Sequence, residues 1–62
     1  MTKKTAIEDA KKFLHLYGVA AILRKSKSNF SYVTTKECVN YQQAYFPQRV
    51  VKILRYSPNP SK

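Results

Sequence analysis

The chain contains a single glycine, Gly18, and it falls at the end of the one segment with sustained helical periodicity. Ala6, Ile7, Ala10, Phe13, Leu14 and Tyr17 recur at three- and four-residue spacing, which predicts a helix over 5–17 with one apolar stripe. Thr5 is the candidate N-cap, and Glu8 three residues later completes a capping box. Gly18 then supplies the left-handed residue that ends such a helix, because it alone carries no Cβ to clash in that conformation.

Residues 19–25 (Val-Ala-Ala-Ile-Leu-Arg-Lys) form an apolar run of five closed by two cations. Periodicity alone does not separate a buried strand from a short helix here. Ser26-Lys27-Ser28-Asn29 is turn-like, and Phe30-Ser31-Tyr32-Val33-Thr34 has strand composition, so the two segments read as a β-hairpin. Thr34 and Glu37 form a second capping-box pattern that opens a helix over 35–46, closed by Pro47, which disfavours helical geometry at Phe46. On that helix Cys38, Tyr41 and Tyr45 share a face flanked by Val39 and Phe46 and are assigned to the core. Lys36, Asn40 and Gln43 lie opposite. Residues 49–56 are rich in β-branched side chains and read as a third strand, with Arg49 and Arg55 on the side of Val51 and Ile53 and Lys52 on the other. Residues 57–62 carry two prolines with nothing to bury and are expected to form a mobile tail.

The resulting order is helix, strand, strand, helix, strand. The simplest architecture for it is a small α+β domain over 1–56, with a three-stranded antiparallel-type sheet and both helices on one face. The alternative is mostly α: a short helix near 19–26, a helix-turn-helix using 35–46, and an appended strand. Helix-turn-helix connections usually span three or four residues, and the aromatic stretch from Ser26 to Thr34 is too long for that. At 62 residues the core is near the lower limit of self-sufficiency, so a homodimer or a bound partner is an expected source of extra stability.

Charge narrows the function. Twelve Lys and Arg against three acids give a formal net charge of +9. Such an excess repels itself and calls for an acidic partner, of which nucleic acid is the commonest. Arg24, Lys25 and Lys27 cluster at the hairpin turn, and Arg49, Lys52 and Arg55 run along the last strand. These six, with Lys36, Asn40 and Gln43 on the second helix, are the candidate contacts. Lys and Arg suit phosphates, while Asn and Gln amides suit base edges. Phe30 and Tyr32 alternate on one strand and are candidate stacking residues, since every base offers a π-face. A chain this short needs aromatics in its core, however, which favours packing for both.

Catalytic equipment is sparse. His15 and Cys38 are the sole candidates for a nucleophile and base pair, with no local motif around either. Glu8, Asp9 and Glu37 all fall in first turns of the expected helices, where the helix dipole already favours them. No metal-ligand set, cofactor motif or glycine-rich phosphate loop is present, and no catalytic site is assigned. One cysteine excludes an intramolecular disulfide and suits a reducing cytoplasm. The lysine-flanked first helix could lie on a membrane surface, but Glu8 and Asp9 oppose this. No segment has the features of a signal peptide or a membrane span, so no membrane partner is expected. The reading is a cytoplasmic, non-enzymatic protein that binds nucleic acid mainly through phosphates. The alternative is an effector or inhibitor that docks on an acidic surface of a larger protein; a structural component of a ribonucleoprotein would use the same charge.

Overall fold

A computed structural model describes residues 1–57. Its elements are α1 (Lys3–Lys11), α2 (Leu14–Tyr17), β1 (Val19–Arg24), β2 (Phe30–Thr34), α3 (Lys36–Tyr45) and β3 (Val50–Arg55). The strands form one antiparallel sheet in the order β2-β1-β3, so the expected α+β order and sheet are present and the helix-turn-helix alternative is excluded. The tail expected over 57–62 lies, apart from Ser57, outside the described residues.

The apolar run that periodicity left ambiguous is the central strand. Val19, Ala20, Ala21, Ile22 and Leu23 are all buried, and only Arg24 is exposed. Alternate residues of a strand point to opposite faces, so burial at every position requires a cover on each side. The core divides accordingly. Ala20 and Ile22 pack with Ala6, Ala10, Phe30 and Leu54, whereas Val19, Ala21 and Leu23 pack with Val39. Thus α1 covers one face and α3 the other, and the expectation of both helices on one face is corrected. That expectation counted two helical stripes but missed that a continuously apolar strand implies two covered faces.

Small side chains set how closely α1 approaches. Ala6 and Ala10, one turn apart, are fully buried, as is Ala20 on the strand below. The stripe does not continue straight to Gly18. At Lys12 and Phe13 the backbone N–H groups donate to Asp9 and Ala10 oxygens three residues back, at 3.1 and 3.0 Å. This tightened turn ends α1 and starts α2, leaving Leu14 half-buried against the core and Phe13 and Tyr17 exposed. Gly18 (φ 82°) closes α2 as expected, its N–H donating to the Leu14 carbonyl at 2.7 Å. The N-cap of α1 is Thr2, not Thr5: its hydroxyl accepts from the Thr5 N–H at 3.2 Å.

A single residue, Thr35, joins β2 to α3. It caps the helix by accepting from the Cys38 N–H at 3.2 Å, in place of the expected Thr34. Its backbone (φ 69°, ψ 144°) lies in a region that β-branched residues almost never occupy. That short, constrained link fixes how α3 is rotated. Val39 turns inward, and Cys38, Tyr41, Tyr45 and Phe46 are exposed, which corrects their assignment to the core. On β3 a bulge opposite Ile22 and Leu23 breaks the two-residue alternation. Val51 therefore packs on the α1 side and Ile53 on the α3 side, where the sequence had placed them together.

Strain at Thr35 is open to measurement. Replacement by Gly removes the conformational cost, of about 1–3 kcal/mol, and forfeits only a few tenths through the cap. Replacement by Ala keeps the strain and loses the cap, at about 1 kcal/mol. Urea denaturation is expected to rank Thr35→Gly at or above the wild type and at least about 1 kcal/mol above Thr35→Ala. A Gly variant less stable than the Ala variant would contradict the strain.

Candidate nucleic-acid interface

The antiparallel register gathers the candidate contacts at two ends of the sheet. At the hairpin end, β1 finishes at Arg24 and the chain turns through Lys25 to Asn29. The turn is held by the Lys25 and Ser26 N–H groups donating to the Asn29 carbonyl at 2.8 and 3.1 Å. Across the other edge of β1, the Arg24 N–H donates to the Arg49 carbonyl at 2.8 Å, which brings Arg49 beside the turn. The N-terminus joins the same end: the Phe30 N–H donates to the Met1 carbonyl at 2.6 Å, and the Met1 ammonium donates to Asn29 Oδ1 at 2.6 Å. Helix α1 then begins at Lys3, followed by Lys4. Arg24, Lys25, Lys27 and Arg49 thus share one exposed end.

Among the described residues, no acid belongs to this end. Glu8 and Asp9 lie further along α1, and Asp9 is paired with Lys12 at 3.6 Å. Glu37 stands in the first turn of α3, at the other end of the sheet. The two arginines are also held in place. Arg24 lies over the Phe30 ring at 5.3 Å and Arg49 over the Phe46 ring at 4.9 Å. A cation–π contact at an exposed site contributes about 0.5–1 kcal/mol, which restrains the guanidinium near the ring. The N–H groups at the guanidinium edge stay available for a bidentate anion such as phosphate.

The opposite end carries a groove of about 380 Å³ between α3, β1 and β3. Lys36, Asn40 and Gln43, the polar face read from the sequence, form one wall with Val39, and Arg55 stands across from them. Tyr17, Gly18 and Val19 complete it. The groove therefore combines two cations, two amides and a half-exposed tyrosine ring. One end of the sheet is separated from the other by the length of β1, about 17 Å at roughly 3.4 Å per residue. Lys52 stands apart from both sets, paired with Ile22 midway along the edge strand and exposed.

The aromatic assignments divide. Phe30 is buried in the α1-side core, with no free face for a base. Tyr32 is half-buried on the same side, stacked against Phe13 at 6.3 Å between ring centroids. Phe13, Tyr17 and Tyr56 are exposed, and so are Tyr41, Tyr45 and Phe46, clustered on α3 and its C-cap, which sequence periodicity assigned to the core. A clue was present: that stripe consists of aromatic rings and a cysteine, and aside from Val39 it offers no large aliphatic group. Tyrosine also tolerates partial exposure because its hydroxyl prefers water.

No protein-family model, curated protein or solved structure matches this chain. No helix among the described residues is long and apolar enough to cross a membrane.

The two classes of aromatic are expected to separate in equilibrium unfolding. Phe30→Ala removes a buried ring and is expected to cost about 3–5 kcal/mol. Tyr45→Ala, at a side chain 68% exposed, is expected to stay within about 0.5 kcal/mol of the wild type. Comparable destabilisation in the two variants would contradict this division.

Proposed function

We propose that the protein is a non-enzymatic nucleic-acid-binding protein that grips phosphates, with the hairpin end of the sheet as its anchor. The observation that carries this reading is the acid-free cluster of Arg24, Lys25, Lys27 and Arg49, two of whose guanidinium groups are braced on aromatic rings. A surface that merely kept the protein in solution would mix the two signs and leave its cations unconstrained. The mechanism is counterion release. Each phosphate neutralised by Lys or Arg frees condensed cations from the nucleic acid, which makes affinity fall steeply with salt. The groove lined by Lys36, Asn40, Gln43 and Arg55 adds a second contact, where amides meet a base edge and cations the adjoining phosphate. The single cysteine suits action in a reducing cytoplasm.

A second reading, docking on an acidic protein surface, is favoured by the exposed apolar end of the molecule, where Leu16 and Tyr17 stand beside Tyr56. There the cations would speed association and the apolar side chains would anchor the contact. A binder of this kind is expected to capture one protein in stoichiometric amounts and to ignore random nucleic acid.

Fluorescence anisotropy of labelled oligonucleotides across a salt series tests the primary reading. The wild type is expected to show a steep linear fall of log affinity with log salt. Changing Arg24, Lys25, Lys27 and Arg49 together to Gln is expected to lower that slope by about 0.7–0.9 for each phosphate no longer neutralised. The control Lys11→Gln/Lys12→Gln is expected to change it less. An equal slope in the quadruple variant would remove the hairpin end from the interface, and feeble binding of every nucleic acid at moderate salt would reject the reading itself.

A further inference from the structure

We propose that Tyr41, Tyr45 and Phe46 form a base-stacking platform, and that the nucleic acid bound is therefore single-stranded. This rests on the phosphate-binding reading above and adds to it the form of nucleic acid recognised.

Three observations support the platform. First, the rings are exposed and clustered. Tyr41, Tyr45 and Phe46 are 53%, 68% and 37% exposed, with centroids 4.8 Å apart for Tyr41–Tyr45 and 6.1 Å for Tyr41–Phe46. Exposing three large rings on one helix end is costly unless something covers them. Second, the cluster is continuous with the cationic anchor. Arg49 bridges them, its guanidinium over Phe46 at 4.9 Å and its carbonyl bonded to the Arg24 N–H. Third, the aromatic stripe runs along α3 away from Glu37, which lies one turn before Tyr41, and ends beside cations. Aromatic rings next to a positively charged track are the combination that binds single strands, because unpaired bases stack while their phosphates follow the charge.

Charge decides among the occupants. A second copy of the chain would bring a like charge of +9 against the same surface. A duplex keeps its bases stacked on one another and leaves the rings uncovered, whereas a single strand covers rings and cations at once. The exposed large apolar residues of α3 and its C-cap are all aromatic, with no Leu, Ile or Met among them, which suits π-stacking better than the mixed apolar anchors of a protein contact.

The test compares a short labelled oligothymidylate, a duplex of equal length and inorganic polyphosphate, a polyanion without bases. The wild type is expected to prefer the oligothymidylate. Tyr45→Leu keeps apolar bulk but removes the ring, and Tyr45→Phe keeps the ring and removes the hydroxyl. Loss of one stacked base is expected to weaken oligothymidylate binding by roughly 5- to 150-fold in Tyr45→Leu. Tyr45→Phe is expected to bind like the wild type, and neither change should alter polyphosphate binding by more than about twofold, since the phosphate-binding cations are untouched. Equal single-strand affinity for Tyr45→Leu and wild type, or a preference for duplex, would overturn the stacking site while leaving the phosphate reading intact. Salt-insensitive, feeble binding of all three probes would overturn both.

Discussion

The structure depends on β1 being buried on both faces. Five consecutive apolar residues cannot satisfy a sheet that shows one side to water, so each face needs its own cover. Helix α1 meets this on one side through Ala6 and Ala10, which let it lie close to Ala20, and α3 meets it on the other through Val39. In a chain of 62 residues this leaves two thin cores in place of one thick one. Among the described residues, Ile22 is the only large side chain that is wholly buried. The aromatics this arrangement does not need for packing end up on the surface.

The same topology sorts the charge. Because β1 lies between β2 and β3, its C-terminal end meets the start of both neighbours. Arg49, distant in the sequence, converges there on Arg24 and the hairpin lysines. The chain's acids are carried elsewhere, on α1 and in the first turn of α3. Part of the net charge becomes a local concentration, while Lys36, Lys52 and Arg55 stand elsewhere. A polyanion would experience the field of that cluster and not the average of the chain.

Two backbone positions decide what faces outward. Gly18 reverses the chain between α2 and β1 in a conformation that suits glycine, and its position in the sequence announces it. Thr35 does the equivalent between β2 and α3 with a residue poorly suited to the task, and nothing in its type signals this. The constrained link rotates α3 so that one valine faces the sheet, while the tyrosines beside it are directed to solvent. The polar wall formed by Lys36, Asn40 and Gln43 and the aromatic face of Tyr41 and Tyr45 are consequences of one rotation.

The local pattern of the sequence determined the elements. Helical spacing before Gly18, β-branched residues at 50–53, the polar turn at 26–29 and Pro47 after Phe46 act on their immediate neighbours, so the helical segment before Gly18, the hairpin, α3 and β3 were all legible. Composition likewise determined the net charge of +9, on which the proposal of an acidic partner rests. Tertiary structure alone decided the rest. The break at Lys12 and Phe13, the bulge in β3 and the side of the sheet taken by each helix arise from contacts between distant segments. Periodicity reports which residues share a face but not what that face meets. For Tyr41, Tyr45 and Phe46 that answer is solvent, because Val39 is the residue of α3 that is buried against the sheet.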